Sequence, residues 1–140
     1  MASILHLQFR VRDQERTYAL YSEILDGRRS NLPQVLVDGG VIGVRFSDQP
    51  RGEQPALADS IEFWPVGQHW DGFYTKLEEP HLHPYGHTAF ETARSHEEIA
   101  KIAARHGAKY QLEDRGPFGM ASCVYDFDGN LIECFPRKSA

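Results

Sequence analysis

The segment Leu131-Ile132-Glu133-Cys134-Phe135-Pro136 decides how this chain folds, because Ile61-Glu62-Phe63-Trp64-Pro65 repeats its Ile-Glu-x-aromatic-Pro order. Each copy places one carboxylate inside an apolar, aromatic-rich run, the composition of a strand. A second echo stands ahead of each: His6-Leu7-Gln8-Phe9 and His87-Thr88-Ala89-Phe90 are both His-x-x-Phe. Two echoes in the same order point to two like modules sharing one core.

Working outward, Leu5, Leu7, Phe9 and Val11 alternate with His6, Gln8 and Arg10 from Ile4 to Val11, the period of a strand with one apolar and one polar face. Asp13 offers an N-cap, Tyr18, Tyr21 and Leu25 recur at helical spacing, and Gly27 is a C′ candidate. Gln34 to Asp38 and Val41 to Ser47, separated by Gly39-Gly40, predict a hairpin. Ser60 to Trp64 is the fourth strand, after a Pro- and Gly-rich loop from Asp48 to about Asp59. The order then returns: a strand over His87 to Thr92, a helix opened by the Ser95/Glu98 capping box and closed by Gly107, and strands over Ala108 to Glu113, Ala121 to Phe127 and Leu131 to Phe135. Each half reads as strand, helix and three strands.

With 140 residues, 41% hydrophobic and 25% charged, the chain has the size and composition of one compact domain. Net charge is -5 and the fifteen Lys and Arg are scattered, which argues against nucleic-acid and anionic-membrane partners. No apolar run approaches the roughly 20 residues that span a bilayer. The opening residues carry no basic, then apolar, leader pattern, so a cytoplasmic location is expected. Cys123 and Cys134 lack disulfide-framework or zinc-finger spacing and read as buried small residues.

Strand parity gathers the polar residues. His6, Gln8 and Arg10 share one face; His87 shares its face with Ala89 and Glu91; Glu133 shares its face with Leu131 and Phe135, and Glu62 with Trp64. If each module curls its sheet into half a barrel, His6, His87, Glu62 and Glu133 enter one cavity. A divalent cation would satisfy two imidazoles and two carboxylates together, and Ni, Zn, Co, Mn and Fe all suit such a set. Without Glu62, two His and one carboxylate remain, the facial triad of non-haem iron oxygenases. Gln8, Arg10 and Tyr125 are candidate substrate-binding residues. His69, His81, His83, Trp70 and Phe73 lie in the loop between Val66 and Gly86 and could cap the pocket.

On these residues the chain resembles the vicinal oxygen chelate superfamily of glyoxalase, bleomycin-resistance and extradiol dioxygenase proteins, and within it the short bacterial glyoxalase I. The likeness runs from Leu5-His6 through Ile61-Glu62, Tyr85-Gly86-His87 and Gly116-Pro117 with Gly119, to Asp126 through Glu133 with Asp128-Gly129 at the turn. It implies an α+β fold: two βαβββ modules, 4–66 and 86–136, within a single domain 1–140, forming a curled mixed sheet around a metal-binding cavity. Carried over by position, it implies His6, Glu62, His87 and Glu133 as metal ligands. Glu133 or Glu62 would be the catalytic base, and Arg10 stands where the family has a glutathione-carboxylate arginine. Phe127 and Val66 depart from the family's proline and asparagine.

The activity so implied is a glyoxalase I-like lyase or isomerase acting on a small molecule chelated through neighbouring oxygens, in a homodimer. Two other readings stay open. One is Fe(II) extradiol cleavage, for which Cys123 stands where that family keeps its acid-base tyrosine while Tyr125 shares the strand face. The other is a metal-free module that sequesters a small molecule, as bleomycin-resistance relatives do.

Overall fold

The structure, a computed structural model, describes residues 6–32, 41–46, 60–65 and 88–138. The first module comprises β1 (His6–Val11), α1 (Gln14–Leu25), β2 (Arg28–Leu32), β3 (Val41–Arg45) and β4 (Ser60–Pro65). The second comprises β5 (Thr88–Thr92), α2 (His96–His106), β6 (Lys109–Asp114), β7 (Met120–Tyr125) and β8 (Leu131–Pro136), with a single 3-10 turn at Gly116–Phe118. Each is a four-stranded mixed sheet, ordered β1-β4-β3-β2 and β5-β8-β7-β6. The sheets stay open, and among the described residues no ladder joins one to the other.

The repeat read in the sequence is a repeat of register. Gln8 pairs with Glu62 in parallel and Glu62 with Gly43 antiparallel; Ala89 pairs with Glu133 and Glu133 with Cys123 in the same senses. Arg10↔Trp64 and Glu91↔Phe135 are equivalent one step further on. The two halves therefore present equivalent slots on equivalent faces.

Both helices begin as the sequence predicts. Asp13 accepts from the Arg16 backbone N–H, and Ser95 and Glu98 form a complete capping box. Gly107 closes α2 in the left-handed region, at φ 75. At the end of α1 it is Asp26, not Gly27, that adopts the left-handed conformation, at φ 52. Gly27 is needed for another reason: a Cβ there would lie 2.1 Å from Val44 Cγ1. The last carbonyls of α1 are capped from the other module, Ile24 by Thr92 Oγ1 at 2.7 Å and Glu23 by Arg94 Nε at 3.0 Å.

One strand appears where none was expected, and another ends early. β2 lies over Arg28–Leu32, and the expected Gln34 to Asp38 and Gly39-Gly40 fall outside the described residues. β2 is an edge strand carrying Arg28, Arg29 and Asn31, the polar dress that protects an edge and hides it from hydrophobic patterning. β7 stops at Tyr125 rather than Phe127 because Asp126 turns inward. Its Oδ1 accepts the backbone N–H groups of Asp128 at 3.0 Å and Asn130 at 2.9 Å, and its Oδ2 accepts the Tyr21 hydroxyl at 2.8 Å. Burial, reinforced by Asp126, pushes the Tyr21 phenol well above its ordinary range.

The buried apolar residues of both halves form one cluster. Val11, Leu20, Ile24, Ile61 and Phe63 meet Ile99, Ile102, Val124, Ile132 and Cys134. Hydrophobic burial thus holds the helices against the sheets, and the opposite sheet faces are left to carry the polar residues.

Candidate active site

On the first sheet, period two sets His6, Gln8 and Arg10 of β1 beside Ser60, Glu62 and Trp64 of β4. Glu62 is buried, only 3% exposed. A buried carboxylate needs partners. Its Oε2 accepts the Trp64 indole N–H at 3.0 Å and lies 3.8 Å from His6 Nε2. Gly43 stands opposite Glu62 because a Cβ there would come within 2.6 Å of the Ile61 carbonyl oxygen. Ser60 Oγ, opposite His6 in the ladder, is buried and among the described residues has no hydrogen-bond partner. Arg10 is buried, its guanidinium carbon 5.3 Å from the Trp64 ring centroid. Gln8 is half-buried beside Glu62.

On the second sheet the equivalent carboxylate, Glu133, is 4% exposed and has a different partner. Arg115 Nε donates to Glu133 Oε1 at 2.5 Å, and Arg115 Nη1 lies 2.5 Å from Glu113 Oε2. Its Nη2 reaches Cys123 Sγ at 3.5 Å. Hydrogen bonding to Glu133 raises the Arg115 pKa, and burial pushes the Cys123 thiol up. A cavity of about 1210 Å³ opens over this face, lined by Glu133, Arg115, Phe118, Met120, Phe135 and Ala89 among others. Phe118, 82% exposed, stands at its rim. Tyr125 lies at the other end of the ladder, opposite Leu131, and is not among the lining residues.

His6 and Glu62 thus come together, and Glu133 lies on the other sheet. His87, together with His69, His81, His83, Trp70 and Phe73, falls outside the described residues. Among the described residues, no three His, Cys, Asp or Glu side chains converge to hold a metal. The donor chemistry on the first face fits a divalent cation: an imidazole nitrogen, a carboxylate oxygen and the orphaned Ser60 hydroxyl share it. Glu133 Oε1 is already taken by Arg115. Sequence reasoning passed over Arg115, since an arginine beside Gly116-Pro117 reads as a solvated loop residue. The signal available was Glu113, whose parity on β6 puts a second carboxylate on the face of Glu133.

Two open mixed sheets of βαβββ connectivity, each with a buried carboxylate at the same ladder slot, define an α+β protein of the two-module vicinal oxygen chelate class. Residues 3–134 match the sequence profile of the Glyoxalase/Bleomycin resistance protein/Dioxygenase superfamily. The chain belongs to that superfamily. Solved structures share the fold at low identity. An integron cassette protein from the mobile metagenome of V. cholerae superposes with TM-score 0.62 at 18% identity, covering 99% of this chain and 97% of its own. A glyoxylase/bleomycin resistance protein/dioxygenase domain from Frankia sp. gives 0.61 at 17%, covering 99% of each chain. The fosfomycin resistance protein FosX from Mesorhizobium loti gives 0.60 at 15%, covering 99% and 94%. No curated protein matches in sequence. Among the described residues no helix is long and apolar enough to cross a membrane.

Proposed function

We propose that the protein is a metal-dependent, glyoxalase I-like lyase or isomerase acting on a small molecule with neighbouring oxygens. The observation that carries this reading is the buried Glu62 with His6 at 3.8 Å, repeated by a buried Glu133 in the equivalent slot. His6, Glu62, His87 and Glu133 would hold one divalent ion. Since His6 and Glu62 lie apart from Glu133 in one chain, the His6–Glu62 face of one copy would meet the Glu133 face of another in a homodimer.

A divalent cation there would polarise the substrate's carbonyl, acidify the adjacent C–H and stabilise the enediolate charge. The Trp64 N–H holds one oxygen of Glu62, which suits Glu62 to a fixed ligand role. Glu133 borders the cavity and suits the mobile role: it takes the proton from one carbon and returns it to the next. Phe118, Met120 and Phe135 would exclude water from that transfer. Arg10 and Gln8, flanking Glu62 on its own face, would orient the substrate.

The pairing of Glu133 with Arg115 favours a second reading, a metal-free binding module, because the guanidinium already neutralises that carboxylate. Elemental mass spectrometry of dialysed protein, after reconstitution with Ni(II), Zn(II), Mn(II) or Fe(II), separates the two. About one divalent ion per chain, lost in His6→Ala and Glu62→Ala, is the expected result. No ion retained by the wild type would overturn the metal-dependent reading and leave the binding module.

A further inference from the structure

Arg115 is fixed at its backbone and only partly buried along its side chain. Its N–H donates to the Gly119 carbonyl at 2.8 Å, and the Gly116 N–H is held by Asp114 Oδ1 at 2.8 Å. The side chain, 33% exposed, reaches from this turn across the sheet to Glu133. Glu133, by contrast, sits mid-strand between Ala89 and Cys123 and is buried. Of the two partners the guanidinium, on the longer and more exposed side chain, has the freer path away.

It also has somewhere to go. Glu113 Oε2 lies 2.5 Å from Nη1, so releasing Nε from Glu133 leaves the guanidinium still paired. Glu113 and Glu133 thus share one guanidinium, each with its own nitrogen on it. In the other module Glu62 is met by an imidazole and an indole N–H, while the Arg10 guanidinium on the same face lies over the Trp64 ring.

We propose that Arg115 is a positioning residue and internal counter-ion for Glu133: guanidinium and divalent cation take the same carboxylate in turn, with Glu113 holding the guanidinium while the cation is bound. This rests on the metal-dependent reading given above. With the cation in place, Glu133 is neutralised from one side and Arg115 from the other, so neither charge is left alone at either stage.

The test is titration of the metal-free protein with Mn(II) alone, free ion read by electron paramagnetic resonance, on wild type, Arg115→Lys, Arg115→Gln and Glu113→Gln. Competition for Glu133 predicts that Arg115→Gln binds Mn(II) about tenfold more tightly, the scale of coupling between neighbouring charges. Glu113→Gln binds more weakly, because the guanidinium has lost its alternative partner. Arg115→Lys decides between competition and a distant charge effect: it keeps the charge but cannot span both carboxylates, so tighter binding than wild type is expected. Wild-type affinity in Arg115→Lys, or shifts in the same direction for Arg115→Gln and Glu113→Gln, would overturn the proposal while leaving the metal reading intact. No Mn(II) bound by any of the four would overturn both. Melting in chelator supplies a second check that needs no metal: Arg115→Gln should lower the midpoint, and adding Glu133→Gln should recover most of the loss. Additive losses would overturn the pairing.

Discussion

The two sheets place a buried carboxylate at the same ladder position and satisfy it in different ways. Glu62 lies against a glycine, an indole N–H and an imidazole, none of which carries a permanent charge. Glu133 lies against a cysteine and a guanidinium that is always charged. A backbone slot fixes where a carboxylate sits; its neighbours decide whether it is electrostatically complete. By that measure Glu133 is already paired with a guanidinium, whereas the Arg10 guanidinium on the Glu62 face lies over Trp64 instead.

Breaking the filled slot should have the largest effect. Arg115→Gln removes the guanidinium that donates to the buried Glu133, and metal-free stability should fall further than in any variant below. Urea unfolding in chelator measures it. The residues opposite the two carboxylates give the next contrast. Gly43→Ala pushes a methyl toward the Ile61 carbonyl oxygen, 2.6 Å away, and should cost about 2 kcal/mol, whereas Cys123→Ala should cost about 1 kcal/mol or less. Equal losses in the two unfolding curves would show that the slots are not packed differently.

The link between the halves comes third. Tyr21→Phe removes the hydroxyl held by Asp126 at 2.8 Å and should cost about 1.5 kcal/mol, measured by thermal melting. The smallest effect lies on the helix seam, outside both slots. Arg105 and His106 of α2 hold the Glu23 carboxyl at about 2, below its ordinary 4.5. A folded pKa below the unfolded one gives stability that is complete above 4.5 and is lost as pH falls toward about 2. Melting midpoints between pH 5 and pH 2.5 should therefore fall less steeply in Glu23→Gln than in the wild type. Identical slopes would remove Glu23 from the account.

The strand order, both helix starts and the repeat were legible because each rests on periodicity or local capping, which few residues encode. That Glu62 is buried was not legible. Its burial depends on a register with Gln8 and Gly43 that no single strand announces. β2 escaped because an edge strand made of Arg28, Arg29 and Asn31 has no apolar face to alternate. Arg115 escaped for the converse reason: its partners are distant in sequence, and only the folded sheet puts Glu113 and Glu133 under the same turn.

The common core has a consequence for cutting the chain. Leu20, Tyr21 and Ile24 of α1 lie in the same buried cluster as Ile99, Ile102 and Val124 of the second module, and the α1 carbonyls are capped by Thr92 and Arg94. Either half alone would have that surface bare and those carbonyls unmet, so a fragment ending after β4 is expected to collapse or to associate, and the two fragments to recover the fold only when mixed.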